Sequence, residues 1–192
     1  MKKLILGSKS PRRQNLLLDA GYAFKVVAKE VEEIYPDDLE PEKVPEYLAK
    51  LKGEVFRDDL TEDQLVITAD TIVILNDKII GKPKSKQNAI ETLTELSETE
   101  HKVVSGVSLL SNEVQKCFSE LTMVKFSPLS EAMIHHYVEK YEPYDKAGSY
   151  AIQEWIGLVG IEYIKGNYYN VLGLPMTRLI KELEIFGVTI DI

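Results

Sequence analysis

Three features of the chain predict an α/β fold built on a mixed sheet with flanking helices. The apolar run Lys3 to Gly7 is followed by Ser8-Lys9-Ser10-Pro11 and a leucine-rich segment closing at Gly21, which is a strand, a loop and a helix in that order. Leu65 to Leu75 is the most apolar stretch, rich in β-branched residues, and the Asn76-Asp77 turn brings the chain back through Ile79-Ile80 as a hairpin. Segments of helical and strand period then mix to the end of the chain, so the class is α/β or α+β with a mixed sheet, α/β being the reading taken.

The elements follow in order. Ser10 falls at the N-cap and Pro11 at the first position of a helix ending near Ala20. Ala23 to Val31 alternates around Phe24, Val26 and Val27 as a second strand, ahead of an acidic, proline-marked loop from Glu32 to Glu42. Val44, Leu48, Leu51 and Val55 recur at helical spacing, which puts Lys52 on the polar side, where a solvated lysine is the ordinary outcome. After the hairpin come a helix from Ser85 to Leu96, β-rich segments at Lys102 to Leu110 and Glu113 to Phe126, and a helix from Ser130 to about Tyr141 that lacks the reciprocal acid of a capping box. Two short β segments are expected between Gly148 and Val171, and Pro175 starts a last helix that stops near Gly187.

Composition narrows the function. The chain has 192 residues, 44% hydrophobic and 28% charged, which suits one domain over 1–192, with room for two lobes, and not a disordered tail. Its start breaks at Ser8 before any long apolar run and reads as a strand, not a signal peptide; nothing approaches the roughly 20 apolar residues of a membrane span. A single cysteine, Cys117, cannot form an internal disulfide, so the cytoplasm is the expected compartment. The net charge of −8 repels a polyanion from most of the surface, and the basic residues are neither massed nor interleaved with aromatics, so neither nucleic acid nor membrane is expected as a partner. Any anionic ligand then needs a local basic cluster.

That cluster lies at Ser8-Lys9-Ser10-Pro11-Arg12-Arg13. A helix N-terminus carries about half a positive charge, so arginines in the first turn cost roughly a few tenths of a kcal/mol each unless an anion compensates. Backbone N–H groups, two hydroxyls and two guanidinium forks on one turn suit a phosphate chain; the competing reading is a solvated basic turn paired with nearby acids. No GxxxxGK[ST] or GxGxxG is present, so neither a Walker loop nor a dinucleotide fingerprint explains it. Asp70, inside Val66 to Ile74, is costly to bury without a partner. It either faces a cleft from a bulge that ends the strand, as a metal ligand or general base, or caps a loop N–H or pairs with a lysine structurally. The hairpin carries Lys82 of Gly81-Lys82-Pro83 back past it, and the acids Glu30, Glu32 and Glu33 include a candidate second carboxylate for magnesium. His101, His135 and His136 share no ligand spacing with Cys117, which argues against zinc, and Tyr163, Tyr168 and Tyr169 either pack, the more frequent role, or line a cleft mouth or a dimer face.

With these residues in view the chain resembles the Maf family of nucleotide pyrophosphatases. The pieces are Ser8-Lys9-Ser10-Pro11-Arg12-Arg13, Glu33, Lys52, Ala69-Asp70-Thr71, Gly81-Lys82-Pro83, Asp145-Lys146-Ala147-Gly148, Tyr150-Ala151-Ile152-Gln153 and Gly173-Leu174-Pro175, in order over nearly the whole chain. The resemblance implies a twisted mixed sheet with a deep central cleft, related to the inosine triphosphate pyrophosphatase (Ham1) fold and frequently dimeric. It also implies hydrolysis of a nucleoside triphosphate to the monophosphate and pyrophosphate with magnesium or manganese as cofactor. Carried over by motif, Asp70 is the catalytic base, Ser8, Ser10, Arg13, Lys52 and Lys82 grip the triphosphate, and Glu33 with Asp70 holds the metal. Arg12, Thr71 and Gln153 match the subgroup similar to dTTP/UTP pyrophosphatases, and a side-chain amide can both donate to and accept from a pyrimidine with an N3 donor between carbonyls. Gly7 and Ala151 depart from the pattern, standing where many members carry Ala and Gly, and Glu154-Trp155 is bulkier than a common glycine-rich continuation. The rival class is a nucleotide-binding regulator of cell division with little turnover.

Overall fold

A computed structural model describes residues 2–190; the expected span 1–192 includes Met1, Asp191 and Ile192, which lie outside the described residues. The elements are β1 (Lys3–Leu6), α1 (Pro11–Asp19), β2 (Phe24–Val26), α2 (Val44–Glu54), β3 (Gln64–Leu75), β4 (Lys78–Ile80), α3 (Lys86–Leu96), β5 (Glu100–Leu110), β6 (Gln115–Phe126), α4 (Glu131–Tyr141), α5 (Trp155–Gly160), β7 (Ile161–Lys165), α6 (Tyr168–Val171) and α7 (Met176–Ile185). Seven strands form one mixed sheet in the order β2-β1-β3-β5-β6-β7, with β4 added to β3. β1 runs parallel to both β2 and β3, whereas β4 on β3 and β7 on β6 are antiparallel. The mixed α/β class predicted from the sequence is the one found.

Packing divides the chain into two compact units, one comprising residues up to Asp70, Ser105–Glu120 and the chain from Gly173, the other Thr71–Val104 and Leu121–Leu172. In the first, α1 buries Leu16 and Leu17 and stops at Gly21, whose φ of 82° only glycine adopts at low cost. Phe56, Val66 and Leu110 form a core there against Ile5, Val27 and Leu60. In the second, α3 and α4 pack on each other over Val73, Leu93, Val103, Phe126 and Tyr137. Both helices are capped as their serines suggest: Ser85 Oγ accepts from the Asn88 N–H and Ser130 Oγ from the Met133 N–H, at 3.1 and 3.3 Å.

Several expectations are corrected. The second strand is Phe24–Val26 and not Ala23 to Val31, because regular pairing with β1 ends at Leu6↔Val26 and only the Val27 N–H still reaches Leu6 O. The proline-marked acidic stretch contains a 3₁₀ turn at Pro41–Lys43. Between Gly148 and Val171 there is one strand, β7, set between the short helices α5 and α6; Asn167 opens α6 by accepting from the N–H groups of Tyr169 and Asn170. The apolar run in α5 reads as β by composition, but Gly157 seats this turn: a Cβ there would lie 1.8 Å from Ile152 O.

Candidate active site

β3 does not end at a bulge: it continues through Asp70 to Leu75 with nearly every side chain buried. A period of two places Val66, Thr68 and Asp70 on one face. Thr68 donates its hydroxyl to Ala49 O at 2.7 Å, which fastens α2 to that face. The helix comes close because Pro45, Ala49 and Gly53, buried alongside Val44 and Leu48, are small, and a Cβ on Gly53 would lie 2.9 Å from Ser108 Oγ and 3.2 Å from Thr68 Oγ1.

This contact changes the place of Lys52. The Val44, Leu48, Leu51, Val55 stripe puts it on the polar side, yet Val55 is exposed and the small stripe turns Lys52 inward. Its side chain is 19% exposed and its Nζ lies 2.6 Å from Asp70 Oδ1 and 2.8 Å from Glu33 Oε1. The buried carboxylate therefore has a charged partner, as its cost of burial requires. Asp70 and Lys52 are largely withdrawn from water, whereas Glu33 is 56% exposed and reaches in from the loop.

Arg13 lies beside them. Its Nε donates to Gly173 O at 3.0 Å and its Nη1 to Ala69 O at 2.8 Å and Ser8 Oγ at 3.3 Å. Enclosure of the guanidinium lowers its pKa to about 10, partly opposed by the attraction of Asp70, so it stays charged at neutral pH. Ser10 occupies the N-cap position, but its side chain makes no cap; instead its N–H donates to Ser8 Oγ at 3.2 Å. The expected Ser10 cap is thus replaced by a turn organised on Ser8. Arg12, half-buried in the same helical turn, forms no hydrogen bond or ion pair among the described residues. Gly7 keeps this loop close to the sheet: a Cβ there would lie 2.6 Å from Thr68 Cγ2 and 3.1 Å from Phe56, so a side chain at this position would have to displace one of them.

Lys82, Thr71 and Gln153 belong to the second unit. The hairpin register ends at Val73↔Ile80, and exposed Lys82 follows two residues later. Its segment is tethered by the Gly148 N–H to Gly81 O at 3.2 Å, so the Asp145-Lys146-Ala147-Gly148 and Gly81-Lys82-Pro83 motifs are one structural piece. Gly148 has a φ of 72° and a Cβ there would meet Val73 at 2.8 Å, which excludes other residues. Gln153 is exposed at the turn opening α5 and Thr71 is half-buried in β3. Among the sequence-derived candidates, then, Ser8, Arg13, Glu33, Lys52 and Asp70 meet in the first unit, with Ser10 and Arg12 on the same loop and turn.

Over residues 3–186 the chain matches the model of the Maf-like protein family. The chain belongs to the Maf family. A relative from Cytophaga hutchinsonii named dTTP/UTP pyrophosphatase is 46% identical over 94% of this chain and 83% of its own length. One of the same name from Bacteroides fragilis is 46% identical over 95% of both chains. Among solved structures, a HAM1 protein from Coxiella burnetii superposes with a TM-score of 0.51 over 96% of this chain and all of its own, at 13% identity, a likeness of fold. Membership gives a context to the motif residues that had no role from chemistry alone: Gly173 of Gly173-Leu174-Pro175 is the acceptor that orients Arg13.

Among the described residues no three His, Cys, Asp or Glu side chains gather as a ready metal cage. The carboxylates that do converge are Glu33 and Asp70, and the cation between them is the Lys52 ammonium. Two carboxylates aimed at one positive centre are the number of protein carboxylates that a divalent cation on a phosphate ordinarily takes. The histidines lie elsewhere: His101 is buried and bonded to Tyr150 Oη at 2.7 Å, with burial lowering its pKa to about 4, His136 lies against Trp155, and His135 lies 3.8 Å from Glu131. Cys117 is a half-buried β6 residue whose thiol pKa is raised by burial, a resting thiol. Tyr163 donates to Glu100 at 2.8 Å. No helix among the described residues is long and apolar enough to cross a membrane.

Proposed function

We propose that this chain is a nucleoside triphosphate pyrophosphatase that converts dTTP and UTP to their monophosphates and pyrophosphate. The observation that carries the reading is the buried Asp70–Lys52 pair beside Arg13, in a Maf-family chain whose relatives of that name align along nearly all of it. Asp70 accepts a proton from a water whose oxygen attacks the α-phosphorus, and the bond from that phosphorus to the oxygen of the departing pyrophosphate breaks. Lys52 in its resting place keeps Asp70 occupied; a triphosphate draws the ammonium onto its own oxygens and frees the carboxylate. Arg13, held by two carbonyls and Ser8, presents a preset positive charge to the phosphates, with Ser8 and Ser10 completing the loop.

Glu33 and Asp70 are the residues that would hold a magnesium or manganese ion, whose chemistry when bound is neutralisation of charge on the phosphate oxygens. Lys82 enters the proposal as a further phosphate ligand, and Arg12, Thr71 and Gln153 as the base-recognising set. The proposed setting is the cytoplasm, with a nucleoside triphosphate as partner, no nucleic acid or membrane, and a homodimer as the assembly.

The test is a panel of nucleoside triphosphates with magnesium or manganese, products resolved as pyrophosphate or orthophosphate. Pyrophosphate from dTTP and UTP is expected, with turnover reduced about 10²–10⁴-fold in Asp70→Asn. Orthophosphate release, tight binding without turnover as for a regulator, or an active Asp70→Asn overturns the reading.

A further inference from the structure

The turn that carries Gln153 is held at both ends by one hydroxyl. Ala151 to Glu154 closes by the Glu154 N–H to Ala151 O bond of 3.0 Å, with Gln153 exposed on it. Tyr137 of α4 is fully buried beneath. Its oxygen accepts the Ala151 N–H at 3.1 Å, and its own proton goes to Glu154 Oε2 in a short hydrogen bond. A phenol has one proton to give and lone pairs to receive with, so both bonds form together without conflict. Glu154 Oε1 in turn lies 3.5 Å from the ammonium of Lys146, a buried residue whose Nζ also holds Asp145 at 2.7 Å. Tyr150, at the head of the segment, is tied separately to His101.

We infer that Tyr137 is a positioning residue for base recognition: its hydroxyl fixes the turn from which Gln153 reads the pyrimidine. The inference rests on the assignment of Gln153 in the proposed function. A side-chain amide discriminates a base only if its donor and acceptor are aimed in advance, because an amide free to rotate serves other bases as well. Gln153 is exposed, and its backbone is held through Ala151 and Glu154. The ring of Tyr137, stacked on Tyr141 with centroids 5.0 Å apart, needs no hydroxyl to fill its place in the core. The hydroxyl is therefore the part that serves the turn.

The experiment compares wild type, Tyr137→Phe and Gln153→Ala on UTP, dTTP, CTP and ATP. Loss of the hydroxyl is expected to lower kcat/KM for UTP and dTTP about tenfold, chiefly through KM, with kcat changed by less than about twofold, while CTP and ATP change little. The selectivity ratio thus falls, as it does in Gln153→Ala. A purely structural role moves the melting temperature but leaves that ratio intact. Preserved selectivity in Tyr137→Phe alongside its loss in Gln153→Ala overturns the role of Tyr137 alone. A wild type without preference, or a selective Gln153→Ala, overturns the base-reading assignment and this role with it. Should Tyr137→Phe fail to fold, Glu154→Gln carries the test, since it weakens the acceptor of the same hydroxyl: selectivity reduced severalfold supports the role, and unchanged selectivity overturns it.

Discussion

Replacing Lys52 by methionine keeps the length of the side chain and removes the one ammonium shared by Asp70 and Glu33. Breaking a fully buried ion pair by deleting one partner costs about 3–5 kcal/mol, because the other charge stays behind uncompensated. Here Glu33 is 56% exposed and returns to water at little cost, and Arg13 still attracts Asp70, so about 2 kcal/mol is expected to remain. For a chain of this size that is a fall in melting temperature of about 4–8 °C. Asp70→Asn alone leaves Lys52 on Glu33 and costs less, about 1 kcal/mol. The decisive measurement is the double-mutant cycle: in Lys52→Met/Asp70→Asn neither charge is stranded, so the double variant is more stable than the sum of the single losses by about 1–2 kcal/mol. Urea unfolding of the four proteins reads this directly. Additivity within about 0.5 kcal/mol would refute the pairing of Lys52 with Asp70 and with it the idea that the lysine guards the carboxylate.

Arg13→Lys preserves the charge but cannot span Gly173 O, Ala69 O and Ser8 Oγ; a loss of about 1–2 kcal/mol in stability and more than about tenfold in kcat/KM is expected, and kinetics equal to wild type would show that the fork is dispensable. His101 is held neutral by burial, its pKa lowered from 6.5 to about 4, so between those values the unfolded chain binds a proton that the native chain does not. Stability is therefore retained above pH 6.5 and lost as the pH falls towards 4, by on the order of 3 kcal/mol, a slope that His101→Gln should flatten in unfolding curves across that window. Gly7→Ala must displace Thr68 or Phe56, and about 1–3 kcal/mol of destabilisation is expected by thermal melting, against a neutral effect if the loop simply shifts.

The sequence discloses this fold where a residue's neighbours in the chain decide its state. The strand over Leu65 to Leu75, the helix opened by Ser130 and the stop at Gly21 depend on local chemistry, and each is found in place, whereas Ser10 stands at the N-cap position without capping. The short helix α5 was hidden because Ile156, Leu158 and Val159 have strand-like composition, and the close approach of Gly157 to Ile152 is a contact that no periodicity reveals. The place of Lys52 escapes periodicity for a related reason: Val44 and Leu48 are buried as their spacing predicts, but Val55 is exposed and the small residues Pro45, Ala49 and Gly53 are buried beside them, a face that a stripe of large residues does not mark. Arg13 and Asp70 are legible as charges in unfavourable places, whereas Glu33 is one acid of a run and is singled out by the resemblance alone. Their company is not legible, since Glu33 and Lys52 reach Asp70 from a loop and a helix far away in sequence. Tyr137 gave no signal at all, being one aromatic among several on an amphipathic helix.

The placement of Lys52 over Asp70 is a matter of backbone register before it is one of charge. Thr68 to Asp70 is one strand repeat, about 6.6 Å along β3, and Ala49 to Lys52 is three residues, about 4.5 Å along α2. The Thr68 to Ala49 hydrogen bond fixes the origin of both steps, and the flexible lysine stem takes up what remains. The small stripe of α2 fixes the third coordinate, the height of the helix above the strand. Attraction between the charges then acts over a distance the fold has already made short. This order of causes explains why so costly a group as a carboxylate can occupy the interior of the most apolar strand: the cation that offsets it is delivered by packing between uncharged atoms.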